Sequence, residues 1–155
     1  MANEDLKGHF IVCGSRGGLE EFLLRLLSAT PDADAQKIVL VGRHSSEAIA
    51  ALRGNPLLQK IQVIQGDHCQ EPVLRKSAPL SARKIYVLSE EESPAGRPFN
   101  SQESDCRTLL SVMLLSQMAP NTPKSTEVRD LRAQCALKRI SCEVVCIDDT
   151  TPIAA

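Results

Sequence analysis

Aromatic residues are scarce in this chain of 155 residues, which has no Trp, one Tyr (Tyr86) and three Phe. Nucleic-acid binders stack bases on aromatic rings and meet phosphate with a basic field. Here 18 Lys and Arg face 19 Asp and Glu, a formal net charge of -1, so nucleic acid is excluded as a partner class. Long apolar runs are lacking too. The longest, such as 38–41, are strand-sized and far short of the ~18 residues of a membrane span. Residues 1–5 are too polar and acidic for a secretory signal, and the chain is expected to be soluble and cytosolic. The six cysteines (Cys13, Cys69, Cys106, Cys135, Cys142 and Cys146) include no Cys-x-x-Cys pair and fit neither a disulfide framework nor a zinc spacing. Reduced, mostly buried thiols are expected.

What is present is an ordinary core: 43% hydrophobic and 24% charged residues exclude disorder for most of the chain. The run 9–13 is apolar without alternation and stops at Gly14, as a strand buried on both faces does. Leu19, Phe22, Leu23, Leu26 and Leu27 then recur at helical spacing, with Glu20, Glu21 and Arg25 facing away. The alternation repeats, with strands at 37–41, 61–64, 84–88, 125–129 and 143–147 and helices at about 46–53, 71–77, 102–118 and 130–138. Segment 93–101, with two prolines and a glycine, reads as a loop. The long helix is expected to bury Leu109, Val112, Met113 and Met118. This pattern predicts an α/β fold: a doubly wound, Rossmann-like parallel sheet of about six strands in the order 3-2-1-4-5-6, with helices on both faces. The division is a lead-in at 1–7, the domain at 8–147 and a frayed tail at 148–155.

Ligands in such sheets bind beyond the carboxyl ends of the strands, at the switch point between strands one and four. The turn after strand one (Gly14, Ser15, Arg16, Gly17) opens a helix whose free amides suit an anion. Gly14 fits the first position of G-x-G-x-x-G, but Arg16 and Leu19 occupy the other two, so the turn binds phosphate through Arg16 or is simply tight. Strand two ends in Gly42, Arg43 and His44, with no acid for a ribose, which counts against NAD; Arg43 either accepts a 2′-phosphate or stands as a surface base. Ser89 follows strand four. Asp67, Glu90, Glu91 and Glu92, with Asp105 across the loop, gather carboxylates at neighbouring strand ends, which a hard cation such as Ca²⁺ would relieve; the alternative is a solvated acidic turn. No Ser sits in G-x-S-x-G and no Cys has an evident His and Asn partner, so no catalytic residue is assigned.

Four segments together resemble the RCK (regulator of K⁺ conductance, or KTN) domain. They are His9 through Gly14; Gly66 and Asp67 with Val73, Leu74, Arg75, Lys76 and Ala78; Ala82 through Leu88; and Ser104, Asp105, Cys106, Arg107, Thr108, Leu109 and Leu110. The insertion around Pro94 to Ser101 is also similar to plant Castor/Pollux cation channels. The resemblance implies a non-catalytic, ligand-sensing module on the cytoplasmic face of a membrane that gates a potassium (cation) channel. It implies dimers building to a gating ring, with a membrane pore domain on the same or another chain. Nucleotides and Ca²⁺ are the ligands it implies, and Asp67 matches the family's Gly-Asp acid. Since the family continues into a dimer-linking helix and a second lobe, the chain looks like an N-terminal lobe. The apolar width around Leu110, Leu114 and Leu115 is the expected dimer surface. The alternatives are an NAD(P)-binding oxidoreductase and a stand-alone nucleotide-sensing transport subunit.

Overall fold

The structure, a computed structural model, describes residues 6–146 apart from 33 and 141. Six strands form one sheet: β1 (Phe10–Cys13), β2 (Ile38–Gly42), β3 (Gln62–Gln65), β4 (Lys84–Val87), β5 (Lys124–Val128) and β6 (Glu143–Cys146). Every pairing is parallel, and the order is β3-β2-β1-β4-β5-β6, as the alternation predicts. The expected end of strand six at Ile147, the tail at 148–155 and most of the lead-in lie outside the described residues.

The runs in β1 and β2 do not alternate because both faces are covered. Phe10, Val12, Ile38 and Leu40 point to a layer made by α1 (Leu19–Ala29) and α2 (Ser46–Arg53), with Leu19, Leu23, Leu26 and Leu52. Ile11, Cys13, Val39, Val41, Ile85 and Val87 point to the opposite layer. That layer is α3 (Glu71–Arg75), α4 (Ser101–Met118) and α5 (Leu131–Lys138), with Leu74, Val112, Leu115 and Leu137. Burying each such aliphatic side chain is worth about 1.5–3 kcal/mol.

The structure corrects three expectations about burial. Met113 is 52% exposed. The stripe of α4 against the sheet is Ser104, Thr108, Ser111, Val112 and Leu115, and Met113 lies a third of a turn past Val112. Small hydroxyl residues make up most of that stripe, which an apolar-only search of its periodicity misses. Leu115 belongs to the core rather than the surface; Leu110 is exposed and Leu114 half-buried. Of the six thiols only Cys13 is fully buried, where burial pushes its pKa up, while Cys106 and Cys135 are exposed on α4 and α5.

The helix starts set up the site. Ser45 caps α2, accepting from Ala48 N–H at 3.1 Å; Asn100 caps α4, accepting from Glu103 N–H at 2.8 Å; Asp130 caps α5, accepting from Arg132 N–H at 2.8 Å. α1 begins instead at Gly18 with no side-chain cap. Its first-turn amides are therefore left for something else. Segment 93–101 is more ordered than a loop. Phe99 N–H donates to Glu91 O (2.8 Å), Ser93 N–H to Arg97 O (2.8 Å) and Gly96 N–H to Ser93 O (2.9 Å), and Glu92 bridges Pro98 in antiparallel fashion. Residues 91–99 form a small β-hairpin.

Candidate functional site

Gly14 sits where three strand ends meet. Its N–H donates to Val41 O at 2.9 Å, its φ is +95°, and a Cβ there would stand 3.0 Å from Leu88 O and 3.3 Å from the Glu90 side chain. Only glycine fits without strain. The turn it opens leads into a cleft of about 430 Å³. Ser15, Arg16, Gly17, Arg43, Glu90, Glu91 and Glu92 line this cleft, so seven of the residues singled out from the sequence share it, with Ser45, Ser93 and Pro94 beside them. Gly14 lies beneath it, and Asp67 and Ser89 face elsewhere.

The two arginines of the cleft are not equivalent. Arg16 turns toward β5: its Nε and Nη2 donate to the two carboxylate oxygens of Glu127 (2.8 and 3.0 Å) and its Nη1 to Gly17 O (2.8 Å). Arg43 is exposed and makes no ion pair among the described residues. Glu127 was not singled out from the sequence, because nothing local links it to Arg16, 111 residues away.

The expected convergence of Asp67, Glu90, Glu91, Glu92 and Asp105 on a Ca²⁺ does not occur. Among the described residues no three His, Cys, Asp or Glu side chains form a group able to hold a metal ion. The carboxylates find internal counter-ions instead. Arg107 donates through Nη2 to Asp67 Oδ1 (2.7 Å) and through Nε to Glu90 Oε1 (2.7 Å). His68 Nε2 donates to the same Glu90 oxygen at 2.8 Å. Asp105 is buried for another purpose: its Oδ1 accepts from Arg129 N–H and its Oδ2 from Asp130 N–H, both at 2.9 Å, at the entry to α5. Glu91 and Glu92 remain exposed on the hairpin.

His68 sits between two partners: Nε2 donates to the Glu90 carboxylate, and Nδ1 lies 2.5 Å from Ser111 Oγ, whose hydroxyl also reaches His68 O at 3.1 Å. A carboxylate on one side and a hydroxyl on the other favour the imidazolium, in which both ring nitrogens carry protons. Burial works against this, but contacts with Cys69 and Glu90 raise its pKa to about 9. Burial likewise tends to raise Asp67, and Arg107 with the Cys69 N–H brings it down to about 2. Burial would raise Glu90 too, yet His68 and Arg107 hold it below the ordinary carboxylate range. Gly66, just before Asp67, has φ +150°, and a Cβ there would come within 2.8 Å of Val73 Cγ2, so the Gly-Asp pair is a tight seat for α3.

A second tie crosses the rim. Ser89 N–H donates to Glu127 (3.1 Å), and Ser89 Oγ shares a hydrogen bond with Ser104 Oγ (2.9 Å) and accepts from Arg129 Nε (3.1 Å). Arg129 Nη1 and Nη2 reach the carbonyls of Phe99 and Glu90 (3.3 and 3.1 Å), fastening the hairpin base. His44, 7% exposed beside Gly42, has no hydrogen-bond partner for either ring nitrogen among the described residues, and burial lowers its pKa.

A parallel sheet wound in this order, with an open cleft above β1 and β2, defines a Rossmann-type α/β domain. Residues 5–126 match the family model described as the calcium-activated potassium channel slowpoke-like RCK domain, and the chain belongs to that family. Several solved structures share its fold. The GsuK channel matches with a TM-score of 0.65 at 17% identity, over 92% of this chain and 22% of that one; GsuK is also recorded bound to NAD and to ADP. The human SLO3 gating ring matches with a TM-score of 0.60 at 15% identity, over 89% of this chain and 24% of that one. The NAD(P)-binding domain of an exopolyphosphatase-related protein from Archaeoglobus fulgidus matches with a TM-score of 0.62 at 15% identity, over 91% and 89%. This chain thus spans about a fifth of the GsuK channel. No curated protein matches it. No helix among the described residues is long and apolar enough to cross a membrane.

Proposed function

We propose that this chain is the non-catalytic, ligand-sensing domain of a potassium channel, and that its ligand is a phosphate-bearing nucleotide seated in the cleft above β1 and β2. The observation that carries the reading is the start of α1. This 11-residue helix has no side-chain cap, and its glycine turn opens into a cleft whose other wall bears Arg43, free of any ion pair among the described residues. Unpaired amides, the positive end of a helix dipole and an available guanidinium all favour a phosphate. Family membership and the nucleotide-bound forms of GsuK support the same class of ligand. The reading as a regulator is supported by membership of the slowpoke-like RCK family. Such a domain acts on the cytoplasmic side of a membrane pore, in a ring of copies. The exposed Leu110 and Met113 of α4 are suited to meet a second copy. Ligand then biases the gate by its difference in affinity between closed and open arrangements.

Calorimetric titration with ADP checks the site. Arg43→Ala should weaken binding about tenfold, the loss of one charge-assisted contact. Undiminished affinity in that variant, or turnover of NAD(P)H by the wild type, overturns the reading.

A further inference from the structure

The cleft that receives the anion already holds a negative group of its own. The carboxylate oxygens of Glu91 stand 3.5 and 3.6 Å from the point where a Cβ of Gly17 would be, directly over the turn that leads into α1. No hydrogen bond or ion pair holds that carboxylate among the described residues. Its backbone, by contrast, is fixed. Phe99 N–H donates to Glu91 O at 2.8 Å, and the hairpin base is fastened by Arg129 on Phe99 O at 3.3 Å and by the Arg97–Glu103 ion pair at 2.8 Å. The side chain is therefore tethered at the positive end of an uncapped helix without being bonded to it.

From this juxtaposition we propose that Glu91 is an internal competitor for the cleft: its carboxylate stands in for the ligand's phosphate on the glycine turn and must swing away before an anion can bind. The inference rests on the cleft being the anion site. Three features of the molecule fit this role. Gly17 has no side chain, so nothing separates the carboxylate from the turn. Glu20 and Glu21 already sit in the first turn of α1, so an added anion meets repulsion unless it displaces charge rather than adding to it. Tethering on an ordered hairpin gives Glu91 a high local concentration, enough to compete with a weak ligand while yielding to a strong one. The consequence for function is selectivity. A single weak anion at low concentration does not displace Glu91, whereas a polyphosphate that also reaches Arg43 does. The domain would therefore respond to a nucleotide and ignore simple anions.

The test is calorimetric titration of the full chain with ADP and, separately, with inorganic phosphate, using wild type, Glu91→Gln, Glu91→Asp and Glu92→Gln. Glu91→Gln should bind ADP about three- to tenfold more tightly and gain measurable affinity for inorganic phosphate. Glu91→Asp, which keeps the charge on a shorter arm, should fall between it and the wild type. Glu92→Gln removes the same charge one residue along and should gain less than half as much. Unchanged or weaker ADP binding in Glu91→Gln overturns this inference while leaving the cleft reading intact. An equal gain in Glu92→Gln also overturns it, because a diffuse field then suffices. Silence of all four proteins toward both probes overturns the cleft reading and this inference together.

Discussion

Arg43 and Arg107 stand on one rim of one sheet, and only Arg107 is engaged. Above β1 and β2 the rim is open: Arg43 lacks an ion pair among the described residues, Glu91 and Glu92 are exposed, and α1 begins uncapped. Above β3, β4 and α4 the rim is closed: Asp67, His68, Glu90, Arg107 and Ser111 satisfy one another within 2.5–2.8 Å. The same residue types give a receptive surface in one place and a structural joint in the other. The difference lies in what the chain brings back from a distance. Arg107 arrives on α4, 40 residues from Asp67, whereas among the described residues no ion pair reaches Arg43, which Asp67 feels only at longer range. Charge crowding in a sequence therefore leaves charge unpaired only where the fold supplies no counter-ion of its own.

The largest expected effect attacks the closed side. Arg107→Ala leaves two carboxylates, Asp67 and the 5%-exposed Glu90, against the remaining imidazolium. Removing one partner of a buried pair costs about 3–5 kcal/mol, because the other charge stays desolvated. Urea unfolding should show a loss of that order, and Arg43→Ala in the same assay should change stability by less than ~0.5 kcal/mol. Equal losses at the two arginines would erase the distinction between the two sides.

A second test uses pH. Asp67 is depressed from 3.8 to about 2, and Glu90 is held down as well, so their stabilisation is complete above the unfolded values and is lost as pH falls through the folded ones. His68 is raised from 6.5 to about 9, so its stabilisation is complete below 6.5 and is lost as pH rises through about 9. Stability should be flat between the ordinary carboxylate range and 6.5, fall below that window, and fall through neutrality up to about 9. His68→Gln should remove the fall between 6.5 and about 9, shrink the Glu90 part of the acid fall and spare the Asp67 part. An alkaline limb that survives in His68→Gln would mean that the imidazolium assignment is wrong.

How legible was this in the residues? The strand order follows from β1 and β2 being apolar on both faces and from each strand stopping at a turn, which are local patterns. The cleft lining was legible for a similar reason: Ser15, Arg16, Gly17 and Arg43 follow strand ends directly, and the topology places strand ends together. What escaped was pairing across long separations. Glu127 with Arg16, Arg107 with Asp67 and Arg129 with Phe99 are joined by side chains from different crossovers, and no periodicity encodes them. The hairpin at 91–99 escaped because its prolines mask a short antiparallel pairing. Met113 escaped because Ser104, Thr108 and Ser111 occupy the buried stripe that hydrophobicity alone assigns to larger residues.

Asp105 gives the smallest and sharpest of these contrasts, since composition places it with the acidic cluster and geometry removes it. Its two oxygens each accept one backbone N–H at the entry to α5, from Arg129 and Asp130, while Asp130 caps the helix itself. A carboxylate used this way is a bracket between α4 and α5, and it owes nothing to a ligand. Asp105→Ala strands two part-buried amides and should cost about 1–2 kcal/mol. Asp105→Asn keeps one acceptor oxygen and should recover roughly half of that loss in urea unfolding. ADP affinity should stay within about twofold of wild type in both variants, because the bracket lies outside the cleft lining. A variant that keeps its stability but loses ADP would return Asp105 to the ligand side of the rim, and the division between an open and a closed half would have to be redrawn through α4.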